Sequence, residues 1–93
     1  MIPKSFQIFG HTIKVRITKD VSEGNDGEWK PAKQEILILP VGEKLTASNQ
    51  EQTFWHEVVH VILDTLSYTE YNEDETLVDR IGQCLYQIDK TKK

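Results

Sequence analysis

Ninety-three residues, 38% of them apolar and 28% charged, suffice for one domain with a small core and leave room for a metal or a partner to add stability. A net charge of −4 argues against a protein that holds nucleic acid through its phosphates. The one cysteine, Cys84, excludes an internal disulfide and fits a reducing compartment.

The opening stretch, MIPKSFQIFG, lacks the apolar segment of a signal peptide. No apolar run approaches the ~18 residues of a membrane span. The expectation is a cytoplasmic protein with no membrane partner and no pro-segment ahead of its site. Phe6 and Ile8 alternate with Ser5 and Gln7. After Gly10-His11, Ile13, Val15 and Ile17 alternate with Lys14, Arg16 and Thr18. Period two with one apolar face predicts two strands and a hairpin near Gly10.

Residues 20–28, DVSEGNDGE, are rich in turn formers and read as a loop. Their four acids, Asp20, Glu23, Asp26 and Glu28, lack the spacing of an EF-hand and are expected to be solvated. A short strand over 28–30 is broken at Pro31-Ala32. Another strand over 34–39, QEILIL, ends at Pro40 and Gly42. That makes three or four strands, mostly antiparallel because the links are short.

The second half has helical spacing. Ser48 with Glu51 three residues on reads as a capping box, opening a helix that runs to about Leu66. A second helix is predicted from a cap at Asn72 to about Ile88, with Leu77, Ile81, Cys84, Leu85 and Ile88 as its apolar stripe. Cys84 is then a small core residue. Lys90, Lys92 and Lys93 read as a frayed, solvated tail. Strands followed by helices make a small α+β fold in one domain, residues 1–93, with an antiparallel or mixed sheet of three to four strands and two packed helices.

The first helix carries His56-Glu57-Val58-Val59-His60. A spacing of four places both imidazoles on one face, able to reach one ion, while Glu57 is rotated aside, where a general base for an activated water belongs. Phe54, Val58, Val59, Val61, Ile62 and Leu63 make the helix apolar around most of its surface, so it is buried, and buried polar side chains need partners. A catalytic zinc needs a third protein ligand. Leu63 and Leu66 stand where a metzincin has glycine and histidine, which excludes that class. His11 is a weak candidate. The acidic segment at residues 72–80, NEDETLVDR, is a better one, because a short link folds it back toward the first helix. Periodicity alone leaves Glu73, Asp74 and Glu75 open: Asp74 aligns with Val78, Ile81 and Leu85, Glu75 with Asp79, Gly82 and Tyr86. Gly82 would let another helix approach closely.

His56-Glu57-Val58-Val59-His60 followed by Glu75-Thr76-Leu77-Val78-Asp79 resembles the gluzincin pattern. Together with the size and the leading sheet, it looks most like minimal phage-encoded zincin-like metallopeptidases akin to the ImmA/IrrE-like group. The resemblance implies a zinc metallopeptidase with zinc on His56, His60 and Glu75, Glu57 as general base, and Asp79 supporting a histidine. A peptide or protein would be its substrate. It further implies an extended substrate along a sheet edge, for which the strand at 35–39 is the candidate. Tyr68, Tyr71 and His11 are candidates for stabilising the oxyanion. Two rival readings are an inert metal-binding interaction module and a structural domain without metal.

Overall fold

A computed structural model describes residues 2–93; Met1, first in the opening stretch read above, lies outside them. Four strands, β1 (Ser5–Ile8), β2 (His11–Ile17), β3 (Gly27–Lys30) and β4 (Glu35–Ile38), are followed by three helices, α1 (Ala47–Thr65), α2 (Thr69–Asn72) and α3 (Glu75–Thr91). The fold is α+β with a mixed sheet in the order β1-β2-β4-β3.

β1 and β2 form the expected hairpin, Ile8 opposite His11. Its two turn residues, Phe9 and Gly10, both have positive φ, 46° and 78°. A two-residue turn of that hand matches the right-handed twist of the strands it joins. β4 pairs antiparallel with β3 and parallel with β2. A 3-10 turn at Pro31–Lys33 joins β3 to β4, the break the prolines predicted. β4 takes a central place because Ile36, Leu37 and Ile38 are buried, and a continuous apolar run needs cover on both sides. The strand at 35–39 is therefore not an edge. β3, whose residues are all half-buried, is.

α1 lies across the sheet, with Phe54, Val58 and Val61 packed on Ile13, Ile36 and Ile38. Its cap is Thr46, whose side chain accepts from the Asn49 N–H at 3.1 Å. Ser48 is already inside the helix and bonds the Tyr86 hydroxyl at 3.0 Å, so the predicted capping box is displaced by two residues. Thr46 wins because its backbone is still extended, as a cap requires. At the other end Ser67 turns left-handed (φ 62°), and the Tyr68 N–H reaches the Leu63 carbonyl at 2.8 Å. This Schellman closure stops the helix.

The second predicted helix is two. Asn72 ends the short α2, and Asp74 caps α3 by accepting from the Leu77 N–H at 3.1 Å. The predicted apolar stripe of α3 is also rotated. Val78 and Gly82 are buried against α1, whereas Ile81, Cys84 and Ile88 are exposed. Cys84 is thus a surface thiol and not a core residue. At Gly82, α3 lies close against the α1 backbone at Trp55 and His56. Two of the three C-terminal lysines are tied down rather than frayed: the helix runs to Thr91, Lys90 pairs with Glu51 at 3.0 Å and Lys92 with Asp89 at 2.7 Å, while Lys93 is exposed beyond the helix. Among the described residues no helix is long and apolar enough to cross a membrane.

Candidate metal centre

His56 and His60 lie one turn apart in the middle of α1, their ring centroids 5.0 Å apart. Glu75, in the first turn of α3, comes up between them. One carboxylate oxygen is 3.1 Å from His56 Nε2, the other 3.3 Å from His60 Nε2. The three residues can each offer a ligand atom within 4.8 Å of the others. Tetrahedral ligands of a zinc ion at ~2.0–2.1 Å would be about 3.3 Å apart, so little movement separates this arrangement from a three-ligand site.

Of the three acids left open by periodicity, Glu75 is the one that faces the histidines. Asp74 spends its carboxylate on the α3 cap, and Glu73 is exposed at the end of α2. The second stripe, Glu75-Asp79-Gly82, is the inward one. Its glycine shows why. A Cβ at Gly82 would lie 3.0 Å from His56 Cα and 3.1 Å from His56 N, tighter than an ordinary van der Waals contact with a backbone. The glycine lets α3 approach α1 closely beside the point where Glu75 reaches the imidazoles.

The far nitrogens are occupied as well. His60 Nδ1 is 2.7 Å from the Asn72 side-chain oxygen. His56 Nδ1 is 3.5 Å from Asp79 Oδ1, a looser electrostatic contact. Asp79 is itself held through its other oxygen, which accepts from Gln83 Nε2 at 2.9 Å. An amide oxygen can only accept, so the Asn72 contact places a proton on His60 Nδ1 and leaves its Nε2 able to ligate, whereas both nitrogens of His56 face carboxylates, Nε2 that of Glu75 at 3.1 Å and Nδ1 that of Asp79 at 3.5 Å. Two ring nitrogens and a carboxylate face one point. Two imidazoles and a carboxylate are a donor set that suits zinc.

Glu57 sits beside this cluster with only 7% of its surface exposed. Burial raises its pKa above the ordinary carboxylate value, the nearby imidazoles opposing that rise and Glu75 and Glu28 adding to it. β3 passes close by. A Cβ at Gly27 would fall 2.6 Å from Thr53 Cγ2 and 3.3 Å from a Glu57 oxygen, so the strand can run against α1 only because residue 27 has no side chain. The Trp29 indole N–H donates to Asp64 at 3.0 Å and fastens the strand to the helix one turn beyond His60. Glu28, at the rim, is held below its usual pKa by the Ser22 N–H and hydroxyl.

Two clefts meet over the histidines. One, of about 360 Å³, is lined by β3, His56, Glu57, His60 and Glu75. The other, of about 390 Å³, runs from His56 and Glu57 toward the start of α1. His11, Tyr68 and Tyr71 line neither. His11 is exposed on the hairpin, and the tyrosine rings lie on the surface. Asn72, Gly27 and Gln83 are the site residues that sequence reasoning missed. For Asn72 the signal was present: the same short link that returns Glu75 toward α1 returns Asn72 first. Comparison of the chain with protein families, curated proteins and solved structures finds no match.

Proposed function

We propose that this protein is a zinc-dependent metallopeptidase of the gluzincin type, similar to the ImmA/IrrE-like group, acting on a peptide or protein in the cytoplasm. One observation carries the reading: His56, His60 and Glu75 converge on one point while a buried carboxylate, Glu57, stands next to it without being part of the set.

His56, His60 and Glu75 would hold the zinc, which when bound supplies Lewis acidity to a water and to the scissile carbonyl. Asn72 and Asp79 keep the two rings turned so that Nε2 points inward. Glu57 takes a proton from the attacking water and delivers it to the leaving amine. Its raised pKa suits the first half of that shuttle, because a carboxylate nearer neutrality is the stronger base toward the water's proton. Gly27 and the free edge of β3 border the cleft over the centre. A substrate strand would add there, antiparallel to β3, by main-chain hydrogen bonds. This moves the expected docking edge from the strand at 35–39 to β3.

The test is metal content followed by turnover. Elemental analysis should find about one zinc per chain, lost in His60→Ala and kept in Glu57→Gln. A peptide library should be cut by the wild type and left intact by Glu57→Gln. Absence of metal from the wild type would sink the reading; zinc with equal behaviour of Glu57→Gln would leave an interaction module that binds without cutting.

A further inference from the structure

The 390 Å³ cleft differs from a usual ligand pocket, which is lined mainly by apolar side chains. Among the described residues Leu45 is its only apolar side chain, and it is 2% exposed, forming the floor. The walls are Asn49, Gln52 and Thr53 of α1 and Gln83 of α3. Two of these already have their amide nitrogens engaged. Gln52 Nε2 donates to Ser48 and Asn49, and Gln83 Nε2 to Asp79. Neither carbonyl oxygen has a protein partner among the described residues. Of the ionisable acids and bases lining the cleft, Asp79 is engaged by Gln83 and His56, His56 and Glu57 belong to the centre, and the remaining two, Lys44 and Asp26, are opposite in sign.

A substrate antiparallel to β3 runs its C-terminal side past Gly27 and into this cleft, since β3 itself starts at that end. We infer that the cleft receives the side chain following the scissile bond and selects an uncharged hydrogen-bonding one: asparagine, glutamine, serine or threonine. A bulky apolar side chain would leave the glutamine carbonyls unpaired and would strip them of water, a cost that sites built for hydrogen bonding use to reject analogues. The inference rests on the peptidase reading and gives that same site a substrate class.

Binding and turnover are measured separately. Zinc-loaded Glu57→Gln is exposed to a randomised hexapeptide library and the retained peptides are sequenced. In parallel the wild type cuts the library and the residue after each cut is identified. Amide and hydroxyl side chains should be enriched about tenfold over Leu and Phe. The substitution Gln52→Leu should erase that enrichment with zinc content and melting temperature unchanged. If Gln52→Leu melts low, Thr53→Val, which keeps the side-chain shape, is judged by the same criterion. Enrichment of Leu or Phe, of acidic residues or of basic ones overturns the inference, as does a preference that neither substitution moves, or retention of no peptide at all. Polar enrichment among retained peptides without any cutting by the wild type supports the cleft's preference and rejects the peptidase reading.

Discussion

The two faces of α1 are packed by opposite means. Toward the sheet, Phe54, Val58 and Val61 are buried against Ile13, Ile36 and Ile38, a contact that any apolar solvent-excluding surface would make. Toward α3, the helix presents His56 and His60, and the partner answers with Glu75, Asp79 and a glycine at backbone distance. The first face supplies stability whether or not an ion is present. The second sets imidazoles against carboxylates, and on the proposed reading an ion bound between them adds to its stability.

This contrast can be broken one face at a time. The largest loss should come from the sheet face. Phe54→Ala removes a buried ring from the cluster and should cost ~3–5 kcal/mol in urea unfolding, while zinc stoichiometry of the folded fraction stays at that of the wild type. On the other face, Gly82→Ala places its Cβ about 3.0 Å from His56 Cα and should cost ~1–3 kcal/mol through forced separation of the helices. That loss would appear despite the ~1 kcal/mol by which alanine favours a helix over glycine. It should come with weaker zinc binding, which Phe54→Ala does not cause. A Gly82→Ala protein more stable than the wild type would mean that the seam is not close-packed.

Smaller effects sharpen the comparison within the seam itself. Asn72→Ala and Asp79→Ala should each weaken zinc binding by about 10–100-fold in competition with a chromophoric chelator. Asn72→Ala should weaken it more, because its contact to His60 is 2.7 Å and that of Asp79 to His56 is 3.5 Å. The smallest change is expected for Glu57→Gln in metal-free protein. The pKa of Glu57 is raised by burial above its ordinary value of 4.5, so the folded state binds more protons than the unfolded one. Its ionisation therefore opposes folding: the penalty is absent at pH below 4.5, develops as pH rises above it, and is complete above the raised value. Glu57→Gln should melt higher than the wild type at neutral pH, with the difference vanishing in acid. A constant difference across that range would show that ionisation of Glu57 is not its source.

Much of this site was legible in the chain. His56 and His60 could be placed on one face by counting residues, and Gly82 was readable as a point of close helix approach. Three things were not. The α1 cap lay at Thr46 because two adjacent stretches, Thr46 to Asn49 and Ser48 to Glu51, both resemble a helix start, and backbone conformation alone separates them. The inward face of α3 was misread because Ile81, Cys84 and Ile88 form a credible apolar stripe, yet the helix faces α1 with Val78 and Gly82. The role of Asn72 was hidden behind its aptitude as a cap, which Asp74 performs instead.

What the sequence determined by itself is therefore local: strand alternation, the hairpin at Gly10, an apolar helix bearing two histidines and a glutamate, and an acidic segment after it. These depend on periods of two and 3.6 residues, and such periods are properties of neighbours along the chain. Only the tertiary structure decided which acid meets the imidazoles, that β3 and not β4 forms the sheet edge beside them, and that Asn72 fixes a histidine. Those outcomes depend on the rotation of α3 about its axis and on strand order, and both are settled by packing between segments far apart in the chain.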